Sequence, residues 1–176
     1  MMAATSIDPA AFIKDVPDFP KKGIVFKDIT PLLGDPAAFA AALERMAEPF
    51  QSAGIRYVAG IESRGFLLAA PLAVRLGAGL VPIRKKGKLP RQTVSASYDL
   101  EYGQDSIEAH ADAFPAGAKV LLVDDVLATG GTAKAACELI EAVGGKVAGA
   151  TFLIELGFLN GREKLAGRDV RALVKY

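Results

Sequence analysis

Apolar positions along this chain fall into two kinds of run. Residues 57–61, 80–83, 120–123 and 146–153 are short, almost unbroken apolar stretches rich in Val, Ile and Leu. Their length and continuity predict strands covered on both faces, as in a parallel sheet. Between them, Ala37, Phe39, Leu43, Met46 and Phe50, and later Ala133, Ala136, Cys137, Leu139, Ile140 and Val143, recur at helical spacing. A further helix is predicted to begin at Gly65-Phe66-Leu67-Leu68. Strands alternating with amphipathic helices predict an α/β domain with a mainly parallel sheet and helices on both faces.

The remaining segments add detail. Residues 93–98 and 106–110 alternate in polarity around Asp99-Leu-Glu-Tyr-Gly-Gln-Asp105, which predicts a hairpin with Glu101-Tyr102-Gly103 near its tip. Asp35-Pro36 is an N-cap followed by proline at the first helical position. A short helix is predicted over residues 9–14, and Pro17, Pro20 and Gly23 exclude a regular element over 15–23. Residues 24–26 form a short extended run, 160–166 a short helix and 170–174 a last strand. With no internal repeat or linker, 1–176 reads as one domain, with an N-terminal arm over 1–34 and a flexible loop expected over 84–105.

Chemistry concentrates after the strand 120–123. Asp124 and Asp125 stand at its C-terminal end, where open α/β sheets bind ligands. Ala128-Thr129-Gly130-Gly131-Thr132 then leads into a helix, so its amides and first helical N–H groups lack intrahelical partners. Paired glycines permit positive φ and close backbone approach, and the threonines add hydroxyl donors. Together they make an anion nest at a helix N-terminus. Carboxylates beside such a nest suit a ligand with hydroxyls on one side and phosphate on the other, and a ribose 5-phosphate fits.

A second strand-to-helix junction carries Glu62-Ser63-Arg64-Gly65, where exposed amides beside an arginine suit pyrophosphate. Gly60 and Gly65 have part of the Walker A spacing, but Phe66 and Leu67 stand where its Lys and Ser/Thr belong, which excludes a P-loop. Gly77-Ala78-Gly79 lacks the third glycine of a dinucleotide fingerprint. Arg84-Lys85-Lys86-Gly87-Lys88-Leu89-Pro90-Arg91 is a basic run that leaves a strand on the ligand side and suits closure over pyrophosphate. His110, the one histidine, offers no triad or metal cluster.

Composition changes this picture little. Lys plus Arg number 21 and Asp plus Glu 20, so no global field points to nucleic acid or an anionic membrane. The single cysteine, Cys137, on an apolar helix face, reads as core. Without a signal-like N-terminus or a membrane-length apolar stretch, a soluble cytoplasmic protein is expected.

The stretch from Val120 to Thr132 closely resembles the phosphoribosyl-pyrophosphate (PRPP) motif of the type I phosphoribosyltransferases, and Ala-Thr-Gly-Gly-Thr is similar to their adenine-specific branch. Asp18-Phe19-Pro20 and Val25-Phe26-Lys27-Asp28-Ile29-Thr30-Pro31 resemble that branch's N-terminal hood, with Lys27 where many relatives carry Arg. The resemblance runs from about Asp18 to Leu165 and implies the type I fold with a small hood. It implies transfer of the phosphoribosyl group of PRPP to adenine, giving AMP and pyrophosphate, with Mg²⁺ carried by PRPP and water.

The roles it implies fall on both halves of the chain. Asp124, Asp125 and Ala128 to Thr132 hold ribose and 5-phosphate, with Thr129, Gly130 and Gly131 between the ends of that run. Ser63, Arg64, Lys85 and Lys88 hold pyrophosphate. Val25, Phe26, Lys27 and Leu156 meet the adenine. Glu101 exchanges a proton with the purine, beside Tyr102 in the loop. A homodimer is expected from the resemblance alone, with no nucleic-acid or membrane partner. A 6-oxopurine phosphoribosyltransferase, a non-catalytic PRPP sensor and a binding module for another phosphosugar stay open at this point.

Overall fold

A computed structural model describes residues 7–99 and 104–176, so Glu101 and Tyr102 lie outside the described residues. The chain separates into two compact units, one ending at Arg45 and the other running from Met46 to Tyr176.

In the first unit, a 3₁₀ turn at Pro9–Phe12 is capped by Asp8, which accepts from the Ala10 amide at 3.1 Å. It is shorter than expected, because Lys14 already belongs to a strand. That strand, β1 (Lys14–Pro17), pairs antiparallel with β2 (Val25–Asp28). The expectation that no regular element forms over 15–23 is therefore corrected for Asp15, Val16 and Pro17. Pro17 is the last residue of a strand in a two-stranded ribbon, a position that tolerates a missing N–H. The break falls in the turn beyond it, where Asp18 has φ 58° and its Oδ1 accepts from the Gly23 amide at 2.7 Å. Helix α1 (Thr30–Gly34) follows, then α2 (Pro36–Ala47), whose N-cap Asp35 accepts from the amides of Ala37 and Ala38 at 3.0 and 2.8 Å.

The second unit is built on a seven-stranded sheet. Its elements are β3 (Tyr57–Ile61), helix α3 (Arg64–Leu76), β4 (Gly79–Lys85), β5 (Thr93–Asp99), β6 (Gln104–His110) and β7 (Lys119–Leu127). Then come helix α4 (Gly131–Ala142), β8 (Lys146–Glu155) and β9 (Val170–Lys175). The strand order is β5-β6-β4-β3-β7-β8-β9, parallel from β4 to β9, with the β5–β6 hairpin added antiparallel to β4.

The helices cover opposite faces. A Cβ on Gly60 would meet Ala69 of α3 at 2.6 Å, whereas Ala59, Ile61, Val120 and Leu122 belong to the core cluster that contains Ala136, Cys137 and Ile140 of α4. Alternation along each strand thus sends odd residues of β3 to α4 and even ones to α3. Cys137 is fully buried, and burial pushes its thiol up to about 11. Among the described residues no helix is long and apolar enough to cross a membrane.

Two strands run further than their apolar cores. β7 continues through both acids to Leu127, and β4 continues to Lys85 because Arg84 and Lys85 pair with Glu108 and Ile107. Asp124 and Asp125 are therefore inside a strand rather than beyond it. Pairing with β3 stops at Val123, while pairing with β8 persists to Leu127 opposite Glu155. By that register Asp124 stands level with Ile61, the last residue of β3, and Asp125 lies beyond it.

Candidate active site

Asp124 lines a cavity of about 80 Å³ together with Ala128, Thr129, Gly130, Gly131 and Thr132. The turn into α4 is made by Gly130, at φ 78°, whose carbonyl accepts from the Lys134 amide at 2.9 Å. Asp125 does not line this cavity; it is buried with its Oδ2 2.7 Å from Arg64 Nε, and its amide donates to Asp124 Oδ1 at 2.9 Å. Burial, and then the neighbouring Asp125 charge, push the Asp124 carboxyl well above the usual carboxylate range. Burial raises Asp125 as well, and the Arg64 guanidinium opposes it. The two acids thus differ in role: one is compensated by a cation, the other faces the cavity.

Gly65 lets the start of α3 lie against the acids. A Cβ there would stand 2.8 Å from Asp124 Oδ1 and 3.0 Å from the Val123 carbonyl. Ser63, at the N-cap position of α3, is exposed and makes no side-chain cap. The peptide between Glu62 and Ser63 is cis.

Glu62 turns instead toward the basic run. Its carboxylate accepts from Lys88 Nζ at 2.8 Å, from the Lys85 amide at 3.0 Å and from Arg84 Nε at 3.3 Å. The Lys88 hydrogen bond is the largest cause that draws the Glu62 carboxyl down to about 2. Lys85 Nζ lies 2.6 Å from Asp105 Oδ2, which also accepts from the Tyr98 hydroxyl at 3.2 Å. That ion pair raises Lys85 and lowers Asp105.

Glu108 is the residue that sequence reading missed. It is buried in β6, and its Oε1 accepts from the consecutive amides of Gly87, Lys88 and Leu89 at 3.0, 3.1 and 3.0 Å. Thr93 Oγ1 donates to Oε2 at 3.3 Å. Against the upward push of burial, these donors hold its carboxyl below the usual range. A carboxylate that ties down three successive amides fixes the course of the basic turn. The one signal in the sequence was an acid at a strand position whose neighbours, Ile107 and Ala109, are apolar.

The residues read for the base lie apart in sequence. Val25 is half-exposed, Phe26 packs edge-on against Phe19 with centroids 5.1 Å apart, and Lys27 Nζ pairs with Asp15 at 2.6 Å, all within the first unit. Leu156, in the second unit, follows β8 with its amide donating to the Leu127 carbonyl at 2.9 Å, which places it at the end of β7. The described residues bring together Arg64, Asp124, Asp125 and the loop 128–132, and separately Lys85, Lys88 and Glu62.

The phosphoribosyl transferase domain family model matches residues 32–170. The adenine phosphoribosyltransferase of Thermobifida fusca (strain YX) is 59% identical over 162 residues, covering 92% of each chain. This chain belongs to the adenine phosphoribosyltransferase family. The crystal structure of the adenine phosphoribosyltransferase from Thermoanaerobacter pseudethanolicus matches it with a TM-score of 0.94 at 51% identity, covering 98% of this chain and 100% of that one. The Saccharomyces cerevisiae adenine phosphoribosyltransferase, complexed with an imino-altritol bisphosphate and adenine, matches at a TM-score of 0.90 and 40% identity, covering 98% of this chain and 99% of that one. As an adenine phosphoribosyltransferase family member the chain is a pentosyltransferase with the type I fold.

Proposed function

We propose that Asp124, Asp125 and the loop from Ala128 to Thr132 hold the ribose 5-phosphate of PRPP while its phosphoribosyl group passes to adenine, giving AMP and pyrophosphate. The observation that carries this reading is the single cavity shared by Asp124 and the glycine loop. Ribose hydroxyls donate, and a carboxylate only accepts. Their hydrogen bonds stabilise the charged form of Asp124 that burial disfavours. The amides of the loop and of the first turn of α4 take the 5-phosphate.

Transfer proceeds with N9 of adenine attacking C1 of the ribose as pyrophosphate leaves, through an oxocarbenium-like ribose. The protein's part is positioning and charge neutralisation. Arg64, Lys85 and Lys88 balance the charge of the leaving pyrophosphate, and Ser63 is a further contact to it. Mg²⁺, a hard cation expected to be carried by PRPP and water, would supply charge neutralisation for the leaving pyrophosphate. Val25 and Lys27 read the adenine edge through backbone groups, and Phe26 and Leu156 pack on the ring. Glu101 exchanges the purine proton beside Tyr102. These base and proton roles rest on the resemblance of the motifs.

The proposal extends to a cytoplasmic homodimer. Leu67 and Val74, seven residues apart on one side of α3 and exposed, support an interface there. Sedimentation showing a fully active monomer would overturn it.

PRPP-dependent AMP formation by Asp124→Asn and Thr132→Val tests the site. Each is expected to lower kcat/KM for PRPP about tenfold or more, the scale of a lost charge-assisted hydrogen bond. Wild-type PRPP kinetics in both variants would exclude the assignment.

A further inference from the structure

Each cation assigned to pyrophosphate is already paired with a carboxylate from another segment: Arg64 with Asp125 at 2.7 Å, Lys85 with Asp105 at 2.6 Å and Lys88 with Glu62 at 2.8 Å. The two lysine pairs share a further feature. The Lys85 and Lys88 side chains are 54% and 50% exposed, whereas those of Asp105 and Glu62 are only 24% and 11% exposed. The carboxylates are the fixed partners and the ammonium groups the ones able to swing.

Neither carboxylate is orphaned when its lysine leaves. Glu62 keeps the Lys85 amide at 3.0 Å and the Arg84 guanidinium, with Nε at 3.3 Å and Nη2 at 3.4 Å. Asp105 keeps the Ser106 amide at 2.8 Å and the Tyr98 hydroxyl at 3.2 Å. A carboxylate that is largely buried is left uncompensated when its cation leaves, and that residual cost holds such a pair shut. Here the remaining donors remove most of that cost. The backbone of the turn stays in place meanwhile, because Glu108 holds the amides of Gly87, Lys88 and Leu89.

We infer that Glu62 and Asp105 are internal counter-anions that occupy Lys88 and Lys85 when pyrophosphate is absent, yield them to it on binding and reclaim them as it departs. The inference rests on the reading of those lysines as pyrophosphate contacts. The exchange is of one anion for another at a lysine ammonium that swings between them, so no covalent bond is made or broken. Its consequence is a pyrophosphate affinity held below what the cations alone would give, which favours release of that product. Glu62 and Asp105 are positioning residues in this scheme and touch no substrate.

Calorimetric binding of magnesium pyrophosphate to the full chain tests this with two double-mutant cycles, Glu62→Gln with Lys88→Met and Asp105→Asn with Lys85→Met. Removing either carboxylate charge is expected to tighten pyrophosphate by roughly 3- to 10-fold, somewhat more than an exposed ion pair is usually worth because the carboxylates are largely buried. The gain should vanish when the matching lysine is already absent. Product inhibition by pyrophosphate should strengthen by the same factor.

Weaker or unchanged binding in both carboxylate variants, with the lysine variants impaired, would overturn the counter-anion role and leave the pyrophosphate reading standing. A tightening that persists in the lysine-deleted backgrounds would also overturn it, because it would reflect the general field of the chain. Unaltered pyrophosphate binding in Lys85→Met and Lys88→Met would remove the reading beneath the inference and the inference with it. The two cycles use separate residues, Glu62 and Lys88 in turns beyond β3 and β4 and Asp105 and Lys85 within β6 and β4, so misfolding of one variant leaves the other decisive.

Discussion

Gly130 and Gly161 meet backbone to backbone: a Cβ on Gly130 would overlap the carbonyl oxygen of Gly161, and one on Gly161 would overlap that of Ala128. The short 3₁₀ segment at Gly161–Leu165 thus begins in direct backbone contact with the loop 128–132. Gly161→Ala is expected to push the loop out of register, lowering stability by about 1–3 kcal/mol through overpacking and weakening ribose 5-phosphate binding. Thermal unfolding and calorimetric titration of ribose 5-phosphate check this. Unchanged affinity would mean that the loop does not depend on this contact.

Asp124→Asn should separate function from stability. Burial raises the folded pKa of Asp124 above its unfolded value, so the charged form is disfavoured in the fold. The stability this group contributes is present below its unfolded pKa and falls as pH rises through the folded pKa. An isosteric neutral side chain removes that cost at neutral pH. The variant is expected to melt at or above the wild-type temperature near pH 8 while binding PRPP more weakly, and a marked loss of Tm there would contradict this.

Glu62 carries the opposite sign. Its carboxyl is drawn from 4.5 to about 2, so its contribution is present above the unfolded pKa and lost as pH falls through the window between those values. Wild-type Tm should therefore fall more steeply than that of Glu62→Gln between pH 4.5 and 2. Parallel Tm-versus-pH curves would show that Glu62 makes no net stabilising interaction.

Glu108→Ala leaves the amides of Gly87, Lys88 and Leu89 without their acceptor, a loss of about 1–3 kcal/mol on the scale of hydrogen bonds to a charged group. Hydrogen exchange at these three amides should accelerate, and KM for PRPP should rise. Protection equal to wild type would show that another group fixes the turn.

The local pattern disclosed most of the elements because strands and helices differ in period, and the acids, glycines and basic run were legible because each is continuous in sequence. What depended on pairing was not. Glu62 meets Lys88 only because β3 lies beside β4, and Glu108 reaches residues 87–89 only because β6 runs antiparallel to β4. Gly161 was silent, since a glycine before a short helix looks the same whether or not another backbone crosses it. In the arm, Pro17 misled because a proline at the end of a ribbon strand breaks nothing.

The most direct measurement is AMP and pyrophosphate formation from PRPP and Mg²⁺ with adenine, hypoxanthine, guanine and xanthine supplied in parallel. A site matched to the adenine donor and acceptor pattern leaves polar groups unpaired against a 6-oxopurine, so turnover is expected with adenine alone. Turnover confined to hypoxanthine, guanine or xanthine would contradict the base assignment, and PRPP binding without turnover on any base would contradict the reaction itself.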